Sequence, residues 1–199
     1  MTRRFGVIVV LLALAVPVAA SAVMGNAVRN GNAESGKAAA GDSSIVAPAG
    51  WKTTGNFTAV RYGGSGIPAT SVAKAIRGGK AFFAGGPSNR SSSATQTVSV
   101  RTGYRTAVLS AALGGWSSQS DAATVRYRWL DAAGKALGTS VLGPVTPAQR
   151  GNVTKLITVH KTVKIPAKAR RVAITIAAIR GSGSYNDGYA DNVSLRLRR

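Results

Sequence analysis

The chain has 199 residues, of which 26 are Lys or Arg, 6 are Asp or Glu, one is His and none is Cys, for a formal charge of +20. The absence of cysteine excludes a disulfide scaffold, thiol catalysis and any thiolate metal site, and a single histidine excludes multi-histidine metal centres. With 45% hydrophobic and 16% charged residues the composition is that of a globular protein with a real core; the charge excess bears on solubility and partners, not on fold.

The first element is an address. Met1-Thr2-Arg3-Arg4 is a short basic start, Phe5 to Ala20 is an almost wholly apolar run, and Ala20-Ser21-Ala22 supplies the small-x-small pattern of a signal-peptidase site. Residues 1–22 are therefore predicted to be a secretory signal peptide and residues 23–199 a single exported domain, secreted or extracellular, with cell-envelope association as the alternative. Loss of the leader removes Arg3 and Arg4 and leaves a charge of +18. The apolar run, 16 residues long, is shorter than the roughly 20 needed to span a bilayer, and no later segment is predicted to cross one. A domain of this size buries roughly 70% of the surface its unfolded chain exposes, so it needs no cross-links.

Beyond the leader, residues 31–44 are rich in Gly, Ala and Ser and read as loop, and Ala69 to Ile76 allows one short helix. The remaining periodic segments alternate with period two. Thr95 to Arg101 is one such run. Val125, Tyr127 and Trp129 share a face opposite Arg126 and Arg128. Ile157, Val159, Val163 and Ile165 oppose Thr158, His160, Thr162 and Lys164. Val172, Ile174, Ile176 and Ala178 form another run, and Val193, Leu195 and Leu197 alternate with Ser194, Arg196 and Arg198. Gly-rich turn signals at 63–66, 85–89, 114–115, 133–135, 181–183 and 186–188 separate them. Half-buried strands joined by such turns predict an all-β fold, an antiparallel β-sandwich. Trp51 and Trp129 are expected in the core. Phe82 and Phe83, being adjacent, point opposite ways, so one of them belongs to the main core.

Several segments together resemble the galactose-binding-like jelly-roll family, which includes many carbohydrate-binding modules of secreted bacterial proteins. They are Asn30-Gly31-Asn32-Ala33-Glu34, Pro48-Ala49-Gly50-Trp51, the stretch from Lys80 to Gly86 with Ala94 to Val98 after it, Leu113-Gly114-Gly115-Trp116, and the closing Tyr189-Ala190-Asp191-Asn192-Val193-Ser194-Leu195. The resemblance spans nearly all of residues 26–197. It departs from the family pattern at Ala33, where an aromatic usually precedes the opening Glu. It implies a jelly roll whose first and last strands are tied together by a structural Ca²⁺, with Glu34 and Asp191 as the carried-over ligands alongside backbone carbonyls. Two carboxylates suit a cation that takes six to eight oxygen ligands.

It also implies a glycan ligand. Sugar binding calls for a flat apolar surface against the ring face and a few polar groups that fix its orientation, and loops are where such groups concentrate. Trp116 follows Gly114-Gly115, and Tyr185-Asn186-Asp187-Gly188-Tyr189 combines two aromatics with an amide and a carboxylate. Trp116, Tyr185, Asn186 and Asp187 are therefore the candidate ligand-binding residues.

Catalysis has little support in the sequence. His160 lies on the polar face of its strand with no nucleophile elbow to accompany it, and Asp121, Asp131 and Asp187 each sit in a turn-like context. There is no phosphate-binding loop and no nucleic-acid recognition motif. In Arg126-Tyr127-Arg128-Trp129 the aromatics oppose the arginines, which argues against a stacking platform for nucleic acid. The expectation is an exported, non-catalytic, carbohydrate-binding-module-like protein. The alternative is a cationic protein held at the envelope by anionic polymers, and a glycoside hydrolase with a carboxylate pair ranks third.

Overall fold

A computed structural model describes residues 25–199; the predicted leader, residues 1–22, lies outside the described residues. Twelve strands and one short helix follow in the order β1 (Lys52–Thr54), β2 (Thr58–Arg61), α1 (Thr70–Ala75), β3 (Ala81–Ala84), β4 (Gly86–Pro87), β5 (Ser91–Ser99), β6 (Thr106–Gly115), β7 (Ala122–Leu130), β8 (Ala136–Leu142), β9 (Lys155–Lys164), β10 (Arg171–Ile179), β11 (Tyr185–Asn186) and β12 (Tyr189–Arg198). The alternating segments recognised in the sequence all form strands, each extended or trimmed by a few residues at its ends. Among the described residues no helix is long and apolar enough to cross a membrane.

Two five-stranded antiparallel sheets face each other, one ordered β1-β5-β10-β7-β8 and the other β2-β3-β12-β6-β9, while β4 and β11 pair as a separate ribbon. The fold class read from the sequence, an antiparallel β-sandwich, is the fold observed. The N-terminal segment lies along β12: Ala27 N–H donates to Leu195 O at 2.9 Å and Val193 N–H to Gly31 O at 2.7 Å. The Asn26 side chain binds both ways, its Nδ2 donating to Val193 O and its Oδ1 accepting from Leu195 N–H, each at 3.0 Å. The two ends of the domain are joined by these bonds.

Alternation places the main core between the sheets. Val125, Tyr127 and Trp129 of β7 and Val172, Ile174, Ile176 and Ala178 of β10 meet Leu109 and Leu113 of β6 and Leu195 and Leu197 of β12. Arg126 and Arg128 point to solvent on the far side of their sheet, next to Thr175 and Ala173 of β10. Trp51 and Trp129 are buried as expected, and Tyr127 donates its hydroxyl to Ser194 O at 3.0 Å.

A second core, absent from the sequence reading, covers one end of the outer face of the β2-β3-β12-β6-β9 sheet. Val60, Phe82, Ala112, Leu156 and Tyr189 project there from five strands, under Ala39, Tyr62, Ile67 and Ala73 of α1 and its approaches. Phe82 and Phe83 do point opposite ways. Phe83 joins the main core against Trp51, and Phe82 lies between Tyr62 and Tyr189, with ring centroids 4.4 and 5.1 Å away.

Trp129 is 2% exposed, so Trp129→Ala should lower unfolding stability by about 3–5 kcal/mol. Denaturant melts of the two proteins would measure this. A loss under 1 kcal/mol would mean that the two sheets do not close on this side chain.

Candidate functional site

Gly114 and Gly115, read from the sequence as a turn, are the last two residues of β6 and pair with Leu156 and Lys155 of β9. A Cβ on Gly114 would run into Lys155 O, and one on Gly115 would lie 2.9 Å from Asp121 O and 3.1 Å from Asp187 O. The close convergence of these backbones leaves no room for a side chain, and the first residue able to project beyond the two glycines is Trp116. The loop is pinned from below by Arg150, which is 1% exposed. Its Nη2 donates to Trp116 O at 3.4 Å, Ser117 O at 2.9 Å and Gln119 O at 3.1 Å, while Nε and Nη1 are buried without a hydrogen-bond partner among the described residues.

The loop between β10 and β12 approaches from the other side. Asp121, fully buried, anchors it: Oδ1 accepts from Gly181 N–H at 2.8 Å and Ser182 N–H at 2.9 Å, and Oδ2 from Asp187 N–H at 2.7 Å. Pairing of β11 with β4 then fixes Tyr185 opposite Pro87. The result is a cavity of about 260 Å³ whose lining includes Trp116, Gln119, Ser184, Tyr185, Asp187 and Asp42. Trp116 and Tyr185 are half-buried and pack against the second core. Among the described residues, the Tyr185 hydroxyl and Gln119 Oε1 are buried without a hydrogen-bond partner.

Three of the four predicted ligand-binding residues, Trp116, Tyr185 and Asp187, thus meet at one cavity. Asn186 does not line it. Its side chain is fully buried and engaged by backbone, with Nδ2 donating to Ala178 O at 3.2 Å and Oδ1 accepting from Gly188 N–H at 3.2 Å. Asp42, Gln119 and Arg150 were not anticipated. They come from three distant segments, and nothing in their local sequence marks them. A larger hollow of about 370 Å³, beside Asn32, Ser110, Ser194 and Arg196, has no aromatic side chain in its lining.

Burial dominates the electrostatics of the cavity. It pushes the Asp187 carboxyl up to about 6, with Asp121 and Asp42 adding to the rise and the Tyr189 hydrogen bond and Arg150 opposing it. Burial also raises the Tyr185 phenol, helped by Asp187 and Asp42, so the hydroxyl stays a donor at any physiological pH. Tyr189 is raised for the same reasons and donates a short hydrogen bond to Asp187 Oδ1.

The predicted metal ligands lie at the other end of the second core. Glu34 Oε1 accepts from Lys80 N–H at 2.7 Å and Ala81 N–H at 2.8 Å. Asp191 is fully buried; Oδ2 accepts from the Tyr62 hydroxyl at 2.8 Å and Oδ1 from Asn192 N–H at 2.6 Å. Burial raises the Asp191 carboxyl to about 7, and Glu34 adds to that rise. The two carboxylates are therefore near enough to repel. Gly78 and Gly79 press on the pair: a Cβ on Gly78 would sit 2.6 Å from Asp191 Oδ2, and one on Gly79 would overlap the Glu34 carboxylate. Among the described residues there is no cluster of three or more His, Cys, Asp or Glu that could hold a metal. The side-chain donors here are two carboxylates and one phenol, all oxygen. That set fits a hard divalent cation whose remaining ligands are backbone carbonyls and water.

No protein-family model matches the chain, and no curated protein matches it. Among solved structures it is similar to TmCBM61 in complex with beta-1,4-galactotriose (14% identity, 88% of this chain and 100% of that one, TM-score 0.51). It is also similar to the enzymatically active domain of bacteriophage CBA120 tailspike protein 4 (17% identity, TM-score 0.50), where 86% of this chain spans 21% of that one. Family 16 Carbohydrate Binding Module-2 shares 20% identity over 62% of this chain and 82% of its own, with a TM-score of 0.44. The fold is an antiparallel β-sandwich jelly roll, shared with TmCBM61.

The raised Asp187 carboxyl predicts a pH dependence. The native state holds this proton between about pH 4 and 6, where the unfolded chain has released it, so stability falls as pH rises through that window. The size is roughly 3 kcal/mol or less. Asp191, raised to about 7, adds to the same decline, so in denaturant melts taken from pH 4 to 7 Asp187→Asn should reduce the slope between pH 4 and 6 and leave the part due to Asp191. An unchanged slope would remove Asp187 as its source.

Proposed function

We propose that the protein is an exported, non-catalytic glycan-binding module whose recognition site is the cavity between Trp116 and Tyr185. The observation that carries this reading is the convergence of two half-buried aromatics, from loops far apart in sequence, on a cavity with unpartnered polar atoms. Aromatic faces take up the apolar face of a sugar ring, and the Tyr185 hydroxyl, the Gln119 amide and the Asp187 and Asp42 carboxylates offer donors and acceptors to its hydroxyls. The jelly-roll fold shared with a galactotriose-binding module adds support at the level of architecture alone. The non-catalytic reading is supported by Asp121 and Asp131, whose carboxylates are engaged by backbone N–H groups.

The Glu34–Asp191 pair is the proposed Ca²⁺ site. Bound there, the cation would neutralise two crowded carboxylates and tie the segment after residue 30 to β12. The role is structural, and the ion takes no part in sugar contact. The cationic faces carrying Arg126, Arg128, Arg196 and Arg198 add a weak, salt-sensitive attraction to anionic envelope polymers.

Two measurements test this. On a glycan array Trp116→Ala and Tyr185→Ala should each weaken binding at least tenfold, by about 1.4 kcal/mol or more, at both low and moderate salt. Binding that fades with salt and ignores both substitutions would favour the electrostatic reading. Chelation should lower the melting temperature by several degrees, added Ca²⁺ should restore it, and Asp191→Asn should abolish the response. Indifference to chelator would remove the ion.

A further inference from the structure

The six acids of the chain are distributed unevenly. Asp121 and Asp131 are engaged by backbone N–H groups, and Glu34 and Asp191 form the pair under the Gly78-Gly79 turn. The two that remain, Asp42 and Asp187, both line the aromatic cavity, and none of its eight lining residues is Lys, Arg or His. In a chain with 26 basic residues against 6 acidic ones, that lining inverts the overall charge.

We infer that the cavity selects glycans bearing a protonated amine, with the ammonium of an amino-sugar residue set against the faces of Trp116 and Tyr185 and facing the Asp42 and Asp187 carboxylates. The inference rests on the glycan-binding reading and narrows it to one chemical class. A neutral sugar needs acceptors for its hydroxyls, and amides or carbonyls supply those without crowding charge. Two carboxylates in one cavity, with Asp121 behind them, repel each other; a neutral ligand leaves that repulsion in place and a cationic one relieves it. The aromatic walls work in the same direction, because a desolvated cation is attracted to the face of Trp or Tyr.

The charged groups around Asp187 are few. Asp121 and Asp42 are the acids that act on it and Arg150 is the base, two carboxylates to one guanidinium. Arg150 lies under the loop, where its Nη2 is engaged by three carbonyls. Arg180 braces the rim by donating to Ser184 O at 2.8 Å and is not among the charges acting on Asp187. The Tyr185 and Tyr189 hydroxyls stay neutral. The raised proton affinity of Asp187 agrees with a site in need of positive charge. The same arrangement rejects sugars that carry a carboxylate.

The test compares three probes at pH 6.5 by calorimetry on the exported chain: a β-linked glucosamine oligosaccharide with free amines, its fully N-acetylated counterpart, and a uronic-acid oligosaccharide of the same length. The free-amine probe should bind about tenfold tighter than the acetylated one, and the uronate most weakly. Asp42→Asn, at a partly exposed position that leaves the folded core untouched, should cut the amine preference at least threefold, and Asp187→Asn should do the same. Equal or better binding of the acetylated probe would overturn the inference and leave the glycan-binding reading standing. Amine binding that neither substitution alters, and that salt abolishes, would also overturn it. Silence toward all three probes and a wider neutral array would end both.

Discussion

Strand β12 is the constraint on which the rest of the molecule depends. Its pairing with β6 and β3 and with the N-terminal segment makes it the middle of its sheet, so both of its faces are buried near its start. Ala190, Leu195 and Leu197 enter the main core, while Tyr189 and Asp191 point the other way, into the second core and the acid pair. A register shift between Asp191 and Ser194 breaks the pairing with β6 where the strand leaves the second core. Both carboxylate sites depend on this strand: Asp191 lies on it and Asp187 is held by Tyr189. A one-residue slip would reverse every one of these assignments.

Between the two sites runs a row of ring contacts, Tyr62 tilted against Phe82 and Phe82 edge-to-face with Tyr189. The phenols at its ends each donate to a buried aspartate, Tyr62 to Asp191 and Tyr189 to Asp187. An aspartate without such a donor would be left as an uncompensated buried charge, which costs far more than the hydrogen bond contributes. The arrangement keeps both acids inside the fold without placing a basic side chain against Asp191. The excess of Lys and Arg stays on the outer faces, with Arg150 the exception.

The strands legible in the sequence were those with one wet face. Val125, Tyr127 and Trp129 alternate with Arg126 and Arg128 because solvent lies on one side of β7. Strand β6 shows no such contrast. Leu109 and Leu113 enter the main core while Ala112 enters the second, so apolar residues fall on both faces and the period is lost. The second core was hidden as well, since the long strands β6, β9 and β12 give it one residue each, Ala112, Leu156 and Tyr189, and its other members come from short strands, loops and α1. At the cavity, loop aromatics were a sufficient signal for Trp116 and Tyr185. Asn186 carried the same turn signature as Asp187 but faces inward, because the turn places consecutive side chains on opposite sides. Arg150, Asp42 and Gln119 depend on long-range convergence that no local pattern encodes.

The position of Arg150 bears on how such a site binds at all. Association must overcome the loss of translational freedom and the ordering of side chains, and a site ordered beforehand loses less. Three carbonyls of the loop at 116–119 are held by one guanidinium, the neighbouring loop by one carboxylate, and both anchors are buried beneath the cavity rather than within it. The backbones of both loops are therefore fixed from below, and Tyr189 holds the Asp187 side chain as well. Gly114 and Gly115 permit this by letting the strands and loops approach closely enough for one buried arginine to reach the whole turn. The rigidity of the proposed recognition surface follows from charge placed under it, and the selectivity proposed for it from the different charge in its lining.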